Sequence, residues 1–396
     1  MPAPGAAAEG GGTPFSLGFP LVSSERAGRT VFVAWRDLKF AKGRFALMGA
    51  VIVLITLLVG LLSGLTAGLG RQNVSAITSL PADAIAFAAP DEGGELSYAD
   101  STVTERQWRR WARTPGVSGA EPLGITTTKA ATGERSTGVS VFGVRSGSAL
   151  APGGDRLGSG LDGDAAVLSA TAAHDLGLAV GDAFTLAGRR ATVAAVSGDA
   201  FFSHTPVVWT GLGLWREITP PAGGADGPAA TVIALNTTSA ADVEAADRAA
   251  GTRTVARDDS LSAIGSYASE NGSLQLMRGF LFVISALVVG AFFTVWTIQR
   301  SGDIAVLKAL GASTATLLGD ALGQALVLLA GGTLIGTGAA AAAGSLLSGM
   351  DVPFLLTPAT VLVPAAVMTA LGALGAVLSI RRITSVDPLT ALGSAR

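Results

Sequence analysis

The residues that could carry enzymatic chemistry are few in this sequence of 396 amino acids. Cysteine is absent, which excludes thiolate nucleophiles, thiolate metal sites and disulfides. The two histidines, His174 and His204, belong to no HExxH pattern, no serine stands in a GxSxG pattern, and none of the four lysines completes a Walker A motif. We therefore expect no catalytic or metal-binding residue in this chain, and any ATP hydrolysis would take place on a separate subunit.

One group of residues has a spacing suited to binding by another protein. Asp303 can cap a short helix from Ile304 to Leu310, and Gly311 can end that helix in the left-handed conformation. Ser313 then offers a cap for the next helix. The pattern predicts a compact helix-turn-helix at a membrane surface.

The elements around this group are membrane spans. Hydrophobic residues make up 49% of the chain and charged residues only 14%. About 20 apolar residues are needed to cross a bilayer, and ionisable side chains are confined to the ends of four long apolar segments. The predicted transmembrane helices cover residues 45–69, 278–299, 320–347 and 355–380. The lack of ionisable relays inside them argues against proton-coupled or ion-coupled transport.

Basic residues near the ends of these segments predict the orientation. Nine of them flank the side that carries both termini, whereas the other side offers only Arg71 and Arg278. By the positive-inside rule, we expect a multi-pass cell-membrane protein with both termini in the cytoplasm and residues 70–277 outside. The net charge of −2 argues against nucleic acid as a partner.

The remaining cytoplasmic segments are short. Residues 1–29 are rich in Pro, Ala, Gly and Ser and predict a disordered tail. Residues 30–44 have an imperfect apolar stripe that predicts an interfacial amphipathic helix. Residues 300–319 contain the helix-turn-helix, and residues 381–396 form the C-terminal segment. There Asp387 and Pro388 suit the cap and first position of a final short helix.

The external segment is predicted to be a mixed α and β domain inserted between transmembrane helices 1 and 2. We expect helices over 104–111, 170–176 and 240–251, and a loop over 220–228. Strands are predicted at 117–121, 139–144, 206–209 and 231–235, with a strand pair between 181 and 196 that turns at 187–190.

Three stretches resemble ABC transporter permeases of the MacB and FtsX type. They are the string around Asp303 to Ser313, the Asp387-Pro388 ending, and the series from Val167 to Val196 in the external domain. The resemblance implies that the first two bind a cytoplasmic ABC ATPase, which would carry ATP and Mg. The residues implied in ATPase coupling are Asp303, Ile304, Leu307, Lys308, Leu310, Gly311, Asp387 and Pro388.

The resemblance also implies a homodimer in contact with membrane lipids, in which the first and second spans pack together. Gly60 and Gly64 form a small-xxx-small pair suited to close helix packing. The four-span layout is most similar to the HrtB branch of haem exporters, which implies haem as the exported substrate and mechanotransmission as the mechanism. A haem iron needs an axial ligand, and Met277 and Tyr267 are candidate donors near the outer membrane face. Two alternatives stay open: export of a lipid, lipopeptide or drug, and an FtsX-like signalling role that activates an extracellular partner.

Overall fold

The computed structural model of the protein describes residues 42–91, 93–153, 160–219, 229–299, 302, 306, 310, 311, 313–347 and 352–384. Several predicted features lie outside these ranges: the tail over 1–29, the interfacial helix up to residue 41, the loop over 220–228, and the coupling residues Asp303, Ile304, Leu307, Lys308, Asp387 and Pro388. These stay predictions.

In chain order, the long helices lie before and after a β-rich region, and the short helices lie within it. They are α1 Lys42–Thr78, α2 Glu105–Trp111, α3 Ala170–Leu176, α4 Leu212–Ile218, α5 Val243–Ala250, α6 Gly265–Gln299, α7 Thr314–Leu347 and α8 Pro358–Thr384, with a 3-10 turn at Asp259–Ala263. The strands are β1 Ala84–Ala88, β2 Val117–Thr132, β3 Arg135–Val144, β4 Ala165–Leu168, β5 Ala183–Leu186, β6 Arg189–Val196, β7 Phe201–Phe202, β8 Thr205–Gly211, β9 Val232–Thr237 and β10 Thr252–Ala256.

Four helices, α1, α6, α7 and α8, are long and apolar enough to cross a membrane, which confirms the predicted number of spans. Their ends differ from the predicted ones. Helix α1 continues to Thr78 instead of ending at residue 69, and α6 begins at Gly265 instead of residue 278. Helix α1 also includes residues 42–44, which the sequence had placed in the interfacial helix. The predicted ends followed hydropathy, whereas polar residues can continue a helix beyond its apolar part.

The domain between α1 and α6 contains a ten-stranded sheet with the strand order β10-β1-β9-β2-β3-β8-β4-β6-β5, and the tenth strand, β7, pairs with β8 beside this path. Strand β5 also pairs with β2, so six of the strands close on themselves. Pairs β3–β8 and β4–β6 are parallel, and the other pairs are antiparallel. The long strand β2 belongs to both parts, because its first half pairs with β9 and its second half with β3. The fold is thus the α+β domain expected between the first two spans.

Local sequence explains the short helices of this domain. Thr104 caps α2 through a capping box with Gln107, Ser169 caps α3, and Asp242 caps α5. Helix α3 ends at Gly177 in the left-handed conformation, with a φ of 66°. Strands β1, β4, β7 and β10 and helix α4 were not predicted.

Two apolar cores fill the domain. One contains Trp111 and Trp215 together with residues of β3, β4, α3 and α5. The other contains Phe142 and Trp209 from the sheet, Tyr98, and Ile77 from the end of α1. Because Ile77 is fully buried, the last turns of α1 are an integral part of this second core.

Parts of the four long helices form a separate compact unit, made of the described residues among 42–52, 287–332 and 369–384. Its core contains Met48 and Ile52 of α1, Phe293 and Trp296 of α6, and Leu329 of α7. The rings of Phe293 and Trp296 meet edge to face with centroids 6.2 Å apart. Glycine permits close helix contact here, since a Cβ at Gly332 would lie 2.7 Å from the side chain of Ile52.

Candidate functional site at the domain-proximal ends of the helices

The hairpin between β7 and β8 is fastened to α1 by its backbone. Its two turn residues, Ser203 and His204, both have positive φ, 49° and 64°. A two-residue hairpin of this kind favours Asn-Gly, because both positions are left-handed. The N–H of Ser203 donates to the carbonyl of Asn73, and the N–H of His204 donates to that of Gln72, each at 3.0 Å.

Side chains extend this attachment to α6. His204 Nε2 lies 2.9 Å from Glu270 Oε2, a hydrogen bond that the Nε2–H tautomer donates to the carboxylate. Asn73 Oδ1 accepts from Ser266 Oγ at 2.6 Å, and Ser266 Oγ lies 2.9 Å from Ser203 Oγ. We call these five residues the hairpin clamp: Asn73, Ser203, His204, Ser266 and Glu270. It joins the domain to both long helices that enter it.

The centre of the clamp is the buried side chain of Asn73. Asn73 is only 2% exposed, and its Nδ2 also donates to Glu270 Oε2 at 3.4 Å. A buried amide held on several sides fixes the positions of its partners. The clamp is therefore an ordered junction between hairpin, α1 and α6.

A cavity of about 390 Å³ lies beside the clamp. Helices α1, α6 and α8 line it with the residues Ser63, Thr66, Ala67, Leu69, Gly70, Asn73, Val74, Tyr267, Glu270, Asn271, Leu274, Gln275, Arg278, Ala359, Thr360 and Val363. The wall thus combines apolar surface with hydroxyls, amides, one phenol, one carboxylate and one guanidinium. Asn73 and Glu270 belong to both the cavity and the clamp.

The charged groups of the cavity differ in their partners. Glu270 is engaged by His204, whereas the Nε of Arg278 is buried and has no hydrogen-bond partner among the described residues. The guanidinium carbon of Arg278 lies 5.8 Å from the centre of the Phe282 ring, a cation–π contact that stabilises the positive charge. Arg278 can therefore still receive an anionic group.

The structure separates the two predicted haem-ligand candidates. Tyr267 lies in the cavity wall. Met277 is 49% exposed and is not among the cavity-lining residues. The roles of both residues in binding stay predictions.

The glycine pair of α1 faces other parts of the same chain. A Cβ at Gly60 would lie 2.8 Å from the Cβ of Ala340 on α7, and one at Gly64 would overlap the ring of Phe354. Of the predicted coupling residues, Leu310 and Gly311 are described. Leu310 is exposed, and Gly311 has the positive φ of 93° that ends a helix. The Ser313 hydroxyl accepts from the N–H of Thr316 at 3.2 Å, as a helix cap does.

Sequence reasoning missed Asn73, His204, Glu270 and Arg278 as residues of a site. The one available signal was the position of Glu270 and Arg278, eight residues apart and bordering a predicted span. Nothing in the sequence indicates that His204 meets residue 270.

Comparison with known families gives two matches along the chain. Residues 45–253 match the MacB-like periplasmic core domain, and residues 276–388 match the FtsX-like permease C-terminal family. The first match alone covers more than half of the 396 residues.

Relatives of similar length cover nearly the whole chain. One is "Putative hemin transport system permease protein HrtB" of Staphylococcus haemolyticus, 25% identical over 367 residues, covering 91% of this chain and 99% of the relative. An uncharacterized ABC transporter permease of Mycobacterium tuberculosis is 25% identical over 388 residues, covering 92% and 99%.

Two solved structures are similar to part of the chain. The extracellular domain of the ABC-type transporter YknZ from Gram-positive bacteria is 14% identical with a TM-score of 0.31, covering 44% of this chain and 98% of that one. The periplasmic region of MacB from Actinobacillus actinomycetemcomitans is 10% identical with a TM-score of 0.33, covering 47% and 94%.

Proposed function

Since this chain belongs to the MacB/FtsX-type ABC transporter permeases, we propose that it is the permease subunit of a homodimeric exporter that expels haem from the membrane. Permeases of this class work with an ATPase partner, and the chain has no Walker A motif of its own. ATP and Mg would be bound by that partner. The relatives named as hemin transport permeases match this chain over nearly their whole length, which supports haem as the substrate.

The cavity beside the clamp supports this proposal most directly. Haem combines a flat apolar macrocycle, two carboxylates and an iron that takes axial ligands. The cavity offers apolar surface, the phenol of Tyr267 and the unpaired Nε of Arg278. A guanidinium forms strong charge-assisted hydrogen bonds with a carboxylate. We assign Arg278 to a haem carboxylate and Tyr267 to the iron.

The volume of about 390 Å³ falls in the range of about 300–1,000 Å³ typical of small-molecule sites. Because the cavity is bounded by α1, α6 and α8 of one protomer, a second copy of the chain would enlarge it. In the proposed dimer, haem would enter laterally between the helices.

Mechanotransmission would run along α6. This helix carries Tyr267, Glu270 and Arg278 near its start, and Gln299 ends it just before the predicted coupling residues. A push by the ATPase on the segment from Asp303 to Gly311 would be passed along the helix axis to the cavity wall. The clamp would pass the same movement to the external domain. For a cytoplasmic ATPase to push on this segment, both termini must lie in the cytoplasm.

The test is a haem titration of the purified permease in nanodiscs, followed by visible absorption and by ATPase activity of the complex with its partner. We expect a saturable, ligand-type spectrum and haem-dependent ATPase activity in the wild type. R278Q should weaken haem binding about 10-fold or more, because a charge-assisted hydrogen bond contributes about 1.5–3 kcal/mol. The matched control is R71Q, which removes an equal charge from α1 at a residue outside the cavity wall, 4.0 Å from Asp199.

The other outcomes separate the alternatives. Nonspecific absorption, with ATPase activity that responds to lipids or lipopeptides, would refute haem as the substrate. ATPase activity that responds to no membrane-soluble compound, but to an extracellular protein, would favour the signalling role. Retention of haem-dependent ATPase activity in G311R would refute the assignment of the coupling motif.

A further inference from the structure

A second cleft, of about 1290 Å³, lies on the external domain between α2, α4 and α5. Five arginines line it: Arg106, Arg109, Arg110, Arg113 and Arg216. Two glutamates, Glu105 and Glu217, are the only acidic residues among its described lining. The lining therefore has a net charge of +3, from five arginines and two glutamates.

This concentration of positive charge contrasts with the rest of the domain. Residues 70–277 contain 15 basic and 22 acidic residues, a net charge of −7. A third of those basic residues line this one cleft. Protein surfaces usually intersperse both signs, and like charges one helical turn apart repel each other.

Three of the arginines are free to bind a ligand. Arg109 pairs with Glu105 at 2.7 Å. Arg106, Arg110 and Arg113 are exposed and form no ion pair among the described residues. Their spacing of four and three residues predicts a row on one face, about 10 Å long at 1.5 Å per residue.

Helix α2, which carries Arg106 and Arg110 and ends two residues before Arg113, is held firmly. The indole N–H of Trp108 donates to the carbonyl of Ala120 at 2.9 Å, and that of Trp111 donates to Thr252 Oγ1 at 3.0 Å. Trp111 is fully buried, and Thr104 caps the helix. The arginines thus project from a fixed platform, which reduces the entropic cost of ordering them around a ligand.

The remaining lining indicates what kind of ligand fits. Besides the charged residues, the described lining consists of Thr114, Pro115, Thr219, Ala229, Ala246 and Ala249. Aromatic and large aliphatic side chains, which anchor protein–protein interfaces, are absent from this described lining. Arginine recognises phosphate through paired hydrogen bonds.

We propose that this cleft binds a phosphodiester polymer outside the cell, with Arg106, Arg110 and Arg113 each receiving a phosphate group. The polymer would lie along α2 and the turn that follows it, with successive phosphates at successive arginines. The cleft and the cavity have no described lining residue in common. Binding of the polymer in the cleft is therefore independent of which substrate is exported.

The test uses full-length protein in phosphatidylcholine nanodiscs and fluorescently labelled poly(glycerol phosphate), with fluorescence anisotropy as the readout. The wild type should bind saturably, and added salt should weaken the binding. The triple variant R106Q/R110Q/R113Q should lose up to about 140-fold in affinity, because three exposed charge pairs contribute up to about 1 kcal/mol each.

The control triple variant K129Q/R190Q/R253Q removes the same charge from exposed positions outside the cleft and should bind within about twofold of the wild type. Equal losses in both triple variants would overturn the proposal in favour of nonspecific attraction. Tighter binding of polyglutamate than of the phosphate polymer would overturn it in favour of an acidic protein partner. Binding only to vesicles of anionic lipid, or no saturable binding, would also overturn it.

Discussion

Replacing His204 with glycine should distinguish two roles of this residue: its effect on the stability of the hairpin and its contact with α6. At a φ of 64°, a residue with a Cβ costs about 1–2 kcal/mol relative to glycine, so H204G relieves strain. The same change removes the hydrogen bond to Glu270. The two side chains are 30% and 43% exposed, and solvent screening limits that contact to about 1 kcal/mol. The two effects nearly cancel, and we expect the unfolding temperature to change by less than about 3 °C.

The effect on function should be larger than the effect on stability. A contact of about 1 kcal/mol can shift a conformational equilibrium by about fivefold, and no more. We therefore expect the ratio of haem-stimulated to basal ATPase activity, measured for the complex in nanodiscs, to fall by up to about fivefold in H204G.

The control is A187G, at a hairpin turn that is not part of the clamp. Ala187 has a φ of 48°, so A187G relieves similar strain without removing any side-chain hydrogen bond. It should raise the unfolding temperature and leave the ATPase ratio unchanged. If H204G behaves like A187G in both assays, the His204–Glu270 contact does not transmit movement. If H204G destabilises the protein as strongly as N73A, for which burial predicts a loss of about 2 kcal/mol, the strain argument is wrong.

Two further predictions concern stability. G64V should cost about 1–3 kcal/mol, because its side chain would overlap the ring of Phe354; F354A in the same chain should restore part of the loss, whereas G49V, in open space, should be nearly neutral by thermal denaturation in detergent. Burial raises the pKa of the Tyr98 hydroxyl, and its hydrogen bond with Ser260 opposes that rise only in part. Because the folded-state pKa lies above the unfolded value of about 10, this stability is complete below about pH 10 and is lost as the pH rises further. Absorbance of tyrosinate, followed together with circular dichroism, should show Tyr98 ionising only as the domain unfolds; identical alkaline unfolding of wild type and Y98F would contradict this.

The parts of the fold that were predictable are those fixed by local physical chemistry. Charge-free segments predicted four membrane helices because a charged side chain in hydrocarbon is costly. The cap at Thr104 was predictable because its hydroxyl accepts a hydrogen bond from the N–H of Gln107, within one helical turn. Strand β1, with the sequence Ala-Ile-Ala-Phe-Ala, was missed because its small residues show no polar alternation, and only its pairing with β9 and β10 defines it.

The candidate site was much less predictable because its contacts are distant in sequence. His204 lies 131 residues from Asn73 and 66 from Glu270, and only the pairing of β7 with β8 brings the hairpin to α1 and α6. The ends of the long helices could not be predicted from hydropathy either. Helix α1, with 37 residues, is about 55 Å long, whereas the hydrocarbon core is about 30 Å thick, so its polar end had no membrane signal to mark it.

The overlap between cavity and clamp carries a consequence for transport. Asn73 and Glu270 line the cavity and also hold the hairpin, so a change in the spacing of α1 and α6 alters both. If haem occupies the cavity, its affinity and the position of the hairpin are linked, and thermodynamic linkage requires the effect to be equal in both directions. H204G should therefore change the haem dissociation constant by no more than the factor by which haem changes the hairpin equilibrium, about fivefold. Haem affinity that is unchanged in H204G, together with a reduced ATPase ratio, would mean that the clamp acts on the ATPase pathway alone and that the cavity is not its input.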